Sequence, residues 1–189
     1  MVTKKGKNLL YTEKGFTLIE ILVASTVFLI IISITSGIFV SLVGHQKRAM
    51  AYQELLSQTS YVIEYMGRAL RMAKRATDDS CLSVAGLNYE NPGSDTKIKF
   101  INRSESDICQ EFSLNGGQLE ESKDGGASFT PLTSDKFQIN SLKFELSGES
   151  GADTLQPRVT IFLEIQVKEE GEQPKIQIQT TISQMSLDI

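Results

Sequence analysis

The dominant pattern in the sequence is one long apolar stretch near its N-terminus. From Ile21 to Gln46 no side chain is charged if His45 is counted as neutral, which is a run of 26 residues. A helix of roughly 20 apolar residues crosses a bilayer core, so this run is long enough to span one. The alternative is a helix buried on every side, and a chain of 189 residues cannot surround one. We therefore predict a membrane-spanning helix over 16–46.

A second pattern predicts that this helix continues beyond the membrane. Apolar residues recur at spacings of three and four, which places them on one face of a helix. No proline interrupts the chain before Pro92. We expect an amphipathic continuation over 47–76, whose apolar stripe packs into the core of the following domain. The stripe consists of Tyr52, Leu55, Thr59, Val62, Met66, Leu70 and Ala73.

Beyond this helix the pattern changes to alternation of apolar and polar residues, which predicts half-buried strands. Asn115-Gly116-Gly117 has the composition of a tight hairpin turn. We predict an α+β fold, in which the long helix packs on an antiparallel β-sheet domain over 77–189. The strand residues are Val159, Ile161, Leu163, Ile165 and Val167; Ile176, Ile178, Thr180 and Ile182; Phe137 and Ile139 with Leu142, Phe144 and Leu146, as one strand or two; and, for shorter strands, Ile98 with Phe100 and Phe112 with Leu114.

Charge is distributed unevenly along the chain. The first 15 residues contain four lysines and one acid, whereas the whole chain has a net charge of −4, so the remainder is acidic. Positive charge before the apolar run predicts a cytoplasmic N-terminus and a single-pass topology, with the β domain periplasmic or extracellular. An acidic domain argues against a general nucleic-acid-binding surface. The cations Arg68, Arg71, Lys74 and Arg75 are expected near the helix C-terminus, where they favour the helix dipole.

The two cysteines, Cys81 and Cys109, both lie in the predicted β domain. An even number of cysteines in an oxidising compartment favours a disulfide, and two separate free thiols are the alternative. Two thiols and one distant histidine are too few ligands for a zinc site. We predict a disulfide and no metal.

The start of the apolar run has an unusual composition. The string KGFTLIE occupies residues 14–20, and the only plausible processing point, Gly15, precedes the apolar helix. Cleavage there leaves the helix on the mature chain, unlike removal of an ordinary signal peptide. A carboxylate such as Glu20 at the margin of a spanning segment is costly unless neutralised, so it is a functional candidate. A new amino group at Phe16 is a cation that Glu20 of a neighbouring helix could pair with.

This string, with its basic leader and the following Ile/Leu/Val run, closely resembles the type IV prepilin and type II secretion pseudopilin family. The resemblance covers Gly15 to Glu20 and, less strictly, the helix as far as the mid-seventies. It implies cleavage after Gly15 and N-methylation of Phe16 by a prepilin peptidase and N-methyltransferase. It also implies that Glu20 pairs with a neighbouring subunit's amino terminus, that the fold is pilin-like, and that an inner-membrane platform driven by ATP assembles the filament.

One departure from the family bears on the subunit type. Many filament-forming members have a helix-breaking proline inside the apolar half of the helix, and this sequence has none there. Gly37 lies in this part of the helix and is a weaker point of flexibility than a proline. The departure favours a minor pilin or a pseudopilin over a major subunit.

The sequence offers no site for catalysis. The predicted β domain contains no histidine, so Ser–His–Asp and Cys–His arrangements are excluded, and there is no phosphate-binding Gly-rich loop. We therefore predict a structural subunit with no cofactor, whose partners are other pilin subunits and the lipid membrane. The alternatives are a filament-tip adhesin or DNA-uptake module and a membrane-anchored domain that does not assemble. The sequence does not distinguish a pilus from a secretion or competence system.

Overall fold

The computed structural model describes residues 15–148, 155–168 and 174–185. By density of contacts the chain divides into two units, Met1–Gln46 and Lys47–Ile189. In chain order the elements are α1 (Leu18–Arg71), β1 (Ala73–Lys74), β2 (Lys97–Asn102), a short 3₁₀ helix (Arg103–Glu105), β3 (Ile108–Asn115), β4 (Gln118–Ser122), β5 (Thr130–Pro131), β6 (Phe137–Ser147), β7 (Arg158–Val167) and β8 (Lys175–Ser183).

Helix α1 is shorter than the predicted helix at both ends. It begins at Leu18 instead of residue 16 and ends at Arg71 instead of residue 76. Its last turn closes with a bond from the Met72 N–H to the Ala69 carbonyl, and Ala73 then pairs with Asn102 of β2. Pairing with β2 takes up backbone groups that a further helical turn would have used. Lys74 and Arg75 therefore lie beyond the helix, and the prediction that they occupy its last turns is wrong.

The strands form two antiparallel sheets, whereas the sequence predicted only a single apolar-faced sheet. The larger has the order β1-β2-β3-β4-β5, and the smaller has the order β6-β7-β8. The strands over Val159–Val167 and Ile176–Ile182 were predicted, and both lie in the smaller sheet as β7 and β8. Neighbouring strands in both sheets are also neighbours in sequence, so neither sheet contains a crossover.

Local irregularities follow from residue type. In the hairpin between β3 and β4, Asn115 pairs with Gln118, and the two intervening glycines have φ values of 57° and 81°. These left-handed values suit a primed turn, which explains the pair of glycines. Strand β6 is continuous but shifts register between Ile139 and Ser141, so the two predicted segments form one strand with a bulge. The segment Gly148-Glu149-Ser150-Gly151, whose composition also predicts a turn, extends into residues outside the described ranges.

The core of the second unit lies between the last part of α1 and the two sheets. The helix contributes the predicted stripe as far as Leu70, and every one of these residues except Tyr52 is buried; Ala73, the last residue of the stripe, is also buried but lies in β1. From the sheets come the inward residues of the predicted strands, including Phe100, Phe112 and Phe144. A single cluster of apolar residues therefore joins helix and sheets, and the α+β fold predicted from the sequence is confirmed.

Candidate processing and assembly site

The KGFTLIE string forms the capped start of α1. The Thr17 hydroxyl accepts a hydrogen bond from the Glu20 N–H at 3.3 Å, and the Thr17 carbonyl accepts the first helical bond, from the Ile21 N–H at 3.2 Å. Thr17 is therefore the N-cap residue and Glu20 is the third residue of the helix, which is the residue spacing of a capping box. The spacing Thr-x-x-Glu is a local sequence signal from which this helix start could have been predicted.

Glu20 is placed where a carboxylate is favoured electrostatically. It lies in the first turn of α1, close to the positive end of the helix dipole. Phe16, whose amine would become the chain terminus after cleavage at Gly15, lies four residues earlier in the sequence. The position of Glu20 lowers the cost of keeping a carboxylate at the edge of an apolar segment.

The predicted cleavage point is open. Apart from the adjoining residues, no described atom lies within 4 Å of the position that a Cβ on Gly15 would occupy, and the Gly15 backbone is outside the left-handed region. Phe16 is 78% exposed. Nothing in the described chain therefore shields the peptide bond between these two residues.

The first part of α1 presents apolar side chains on all sides. The large apolar side chains from Phe16 to Val43 are exposed, most of them over at least half of their surface. This part of α1 contains a strongly apolar stretch of 18 residues, none of which is buried in the structure. The helix is therefore long and apolar enough to cross a membrane. Four hydroxyls in this part donate to carbonyls three or four residues earlier, which satisfies them without water. They belong to Ser25, Thr26, Ser33 and Thr35.

The predicted disulfide is present and holds an irregular segment. Cys81 and Cys109 are bonded, with their Cα atoms 5.5 Å apart. Cys81 belongs to a small second cluster of buried residues with Ala76, Leu82 and Ile101. The bridge therefore ties the segment after the helix to β3, as the sequence led us to expect.

The second unit contains an open cavity of about 600 Å³ that the sequence did not reveal. Its lining combines the rings of Tyr61 and Tyr65, which stack with their centroids 6.0 Å apart, with the side chains of Arg68 and Arg71. The lining also includes residues at the end of α1, residues of the 3₁₀ helix and Met185. Only the tertiary fold brings these segments together, so no local sequence pattern marks the cavity.

A buried polar chain lies beside this cavity. The Tyr65 hydroxyl donates to Glu121 at 2.7 Å, the Gln110 amide also donates to Glu121, and the Asn102 amide donates to Gln110 at 2.7 Å. Burial and then the hydrogen bond to Glu121 raise the pKa of Tyr65 to about 12. Adjacent acids such as Glu120 and Glu121 are typical of solvated charge, whereas the Glu121 side chain is buried and hydrogen-bonded.

The predicted basic cluster is partly neutralised. Arg68 pairs with Glu64 at 2.9 Å, one turn earlier on α1, and Lys74 pairs with Asp107 at 2.6 Å. Both pairs are largely exposed and contribute little to stability. Within the described ranges, no group of three or more His, Cys, Asp or Glu side chains could hold a metal ion.

Comparison with known proteins bears on the start of the chain. Residues 11–36 match the family model described as "Prokaryotic N-terminal methylation motif". The chain carries the type IV prepilin and pseudopilin signature. The matched range includes Gly15, Phe16, Thr17 and Glu20, the residues that form the open cleavage point and the capped helix start. No curated protein and no solved structure matches the chain.

The signature supports a type IV pilin-like or pseudopilin subunit at the level of family, and members of that family are structural subunits. Together with the apolar helix, it supports anchoring in a membrane and processing by a prepilin peptidase.

Proposed function

We propose that this protein is a minor pilin or pseudopilin, a structural subunit of a type IV pilus-like or type II secretion filament. A prepilin peptidase cleaves after Gly15 and methylates Phe16. The helix crosses the inner membrane once with its N-terminus in the cytoplasm, and the β domain lies outside the cytoplasm. An assembly platform in the membrane then moves the subunit into the filament beside other pilin subunits.

The observation that carries this proposal is the coincidence of the methylation motif with an uncovered apolar helix. The motif ends within the part of α1 whose side chains are exposed all round. Exposed apolar surface of this extent is covered by lipid or by other protein. A single anchor needs only lipid, whereas a helix that enters a filament exchanges lipid for neighbouring helices. The motif supports the second case, because its glutamate is unnecessary for anchoring.

Glu20 provides a negative charge that can pair with a neighbouring subunit when the helix leaves the lipid and packs against other helices. Removal of residues 1–15 creates an ammonium group at Phe16, four residues before Glu20. In a single helix these groups are near neighbours, but in two staggered helices Glu20 of one faces the terminus of the other. An ion pair in a medium of low dielectric constant is strong and depends on geometry. Such a pair sets the axial position of the incoming subunit.

Glu20→Gln tests the assembly step, because it removes the charge and keeps the side-chain shape. In cells that contain the matching peptidase and partner subunits, we expect the variant to be processed and inserted but absent from the filament fraction released by shearing. Glu64→Gln is the matched control, since Glu64 lies on the same helix in the second unit and its ion pair with Arg68 is exposed.

The two variants separate the proposed subunit from a domain that is only anchored. A filament subunit requires Glu20 and tolerates Glu64→Gln. If Glu20→Gln chains enter the sheared fraction at the level of the unchanged protein, Glu20 has no assembly role. If the unchanged protein itself never leaves the membrane fraction, the anchored domain is the correct function.

A further inference from the structure

Helix α1 starts just after the predicted cleavage point and does not include it. The sequence pattern predicts a helix from residue 16, whereas α1 begins at Leu18. Gly15, Phe16 and Thr17 are not helical. The peptide bond between Gly15 and Phe16, which a prepilin peptidase would cut, therefore lies outside the helix.

Thr17 fixes this helix start with two hydrogen bonds. Its hydroxyl accepts from the Glu20 N–H at 3.3 Å, and its carbonyl accepts from the Ile21 N–H at 3.2 Å. An N-cap residue has a non-helical backbone, and its side chain satisfies an N–H group that has no partner inside the helix. The Gly15 carbonyl precedes these bonds, and no described residue donates a backbone hydrogen bond to it.

Gly15 offers a competing start for the same helix. Glycine ranks close to threonine as an N-cap residue, and Gly15 is outside the left-handed region that would oppose this role. A helix capped at Gly15 would begin at Phe16, and its first hydrogen bond would run from the Ile19 N–H to the Gly15 carbonyl. That carbonyl belongs to the peptide bond to be cut, so the two helix starts give a peptidase two different substrates.

The two helix starts differ in how readily the bond can be cut. Proteolysis acts on backbone that is exposed and free of helical hydrogen bonds, or on helix that has opened locally. With the start at Leu18, Phe16 is 78% exposed and the Gly15 carbonyl lies outside the helix. With the start at Phe16, the helix holds that carbonyl, and cleavage has to wait until the first turn opens.

We propose that Thr17 is a positioning residue for cleavage, because its cap keeps the helix start at Leu18 and so keeps the Gly15–Phe16 bond outside the helix. Thr17 acts on the conformation of the substrate and not on the breaking of the bond. This role rests on the proposed processing at Gly15. It is distinct from the assembly role of Glu20, which contributes its backbone N–H to the cap.

The conformation of the bond can be measured without a peptidase, because Gly15-Phe16 is the only Gly-Phe pair in the sequence. Carbon-13 in the glycine carbonyls and nitrogen-15 in the phenylalanines then give one bonded labelled pair in the magnetic resonance spectrum of the full-length protein in detergent. Thr17→Val keeps the side-chain shape and removes the acceptor oxygen, so we expect the Gly15 carbonyl signal to move toward the helical range. Thr17→Ser keeps the acceptor and should leave the signal in place.

Cleavage kinetics of the same full-length variants with the matching peptidase test the consequence. We expect Thr17→Val to raise KM about five-fold, within the range of roughly 2- to 30-fold that loss of a cap gives in such an equilibrium. The kcat should stay unchanged, because only the population of the cleavable conformation falls. Thr17→Ser and Thr17→Asn should keep the original KM, since both side chains can cap. Thr26→Val is the matched control, because the Thr26 hydroxyl donates to the Val23 carbonyl inside the helix and caps nothing.

The order of the variants separates a cap from direct recognition of the side chain. A peptidase pocket that fits threonine accepts valine, which has the same shape, and rejects asparagine. A higher KM for Thr17→Asn than for Thr17→Val would therefore overturn the proposal, as would a Gly15 carbonyl signal that is the same in all variants. If the peptidase cuts the unchanged chain and Thr17→Val with equal KM, only the positioning role fails. If it leaves the unchanged chain uncut, the proposed function fails and the positioning role fails with it.

Discussion

At the scale of single residues, the acids Glu20 and Glu121 were the hardest to interpret from sequence. Glu20 was singled out because a charge next to an apolar run is unusual. Glu121 adjoins another acid, a pattern typical of solvated charge, yet it is buried with Tyr65 and Gln110 as donors. Those donors are 56 and 11 residues away in sequence. A local pattern carries no information about partners so distant, whereas the Thr17–Glu20 cap is local and could have been predicted.

Tyr65→Phe tests the buried polar chain. The substitution removes a hydrogen bond to a buried carboxylate, so we expect the free energy of unfolding to fall by about 1–3 kcal/mol. The measurement is urea unfolding of the full chain in detergent near neutral pH. Tyr61→Phe is the control, because Tyr61 is 54% exposed beside it and its loss should cost little.

The same pair of variants predicts a pH dependence. The folded-state pKa of Tyr65 is raised to about 12 from the usual 10.0. A raised pKa stabilises the fold fully below pH 10 and less as the pH rises through 12. The stability difference between the unchanged protein and Tyr65→Phe should therefore shrink between pH 10 and pH 12. A difference that stays constant across this range would contradict the assigned burial and hydrogen bond.

At the scale of elements, periodicity predicted the helix and the long strands but not their ends or their division into two sheets. Buried and less buried residues alternate strictly along β7, because one face of the strand packs on the core. Such alternation is easy to recognise in a sequence. The end of α1 was missed because no glycine or proline marks it. Competition from pairing with β2, about 30 residues later, ends the helix, and this competition is visible only in three dimensions.

Replacing both cysteines tests how far the disulfide stabilises the segment between α1 and β2. The bridge closes a loop with a sequence separation of 28 residues. Constraining the unfolded chain over a loop of this size stabilises the fold by about 3–4 kcal/mol. We expect Cys81→Ala with Cys109→Ala to lower the urea midpoint accordingly.

Reduction supplies the control for the double alanine variant. Dithiothreitol should lower the midpoint of the unchanged protein and leave that of the double variant unchanged. A midpoint that is insensitive both to reduction and to the double substitution would show that the second core cluster holds this segment without the bridge.

At the scale of the whole molecule, the sequence divides into a part that buries its apolar residues and a part that does not. The main core cluster is drawn from Leu55 onward, whereas the apolar residues before Val43 find no partner in the described chain. The composition of the run predicted this contrast. The cavity beside Tyr61 could not be predicted, because it is created by the arrangement of several elements.

The central claim is that the chain enters the prepilin pathway, and the most direct test is the intact mass and N-terminal sequence of the protein from membranes that contain the matching peptidase. Gly15→Val is the informative variant, because the open surroundings of Gly15 leave room for a larger side chain and any loss of cleavage then reports on the peptidase. Gly15→Ala is its smaller control. We predict that the unchanged chain begins at methylated Phe16 and that Gly15→Val retains residues 1–15. An unchanged chain that still begins at Met1 beside an active peptidase would contradict the account.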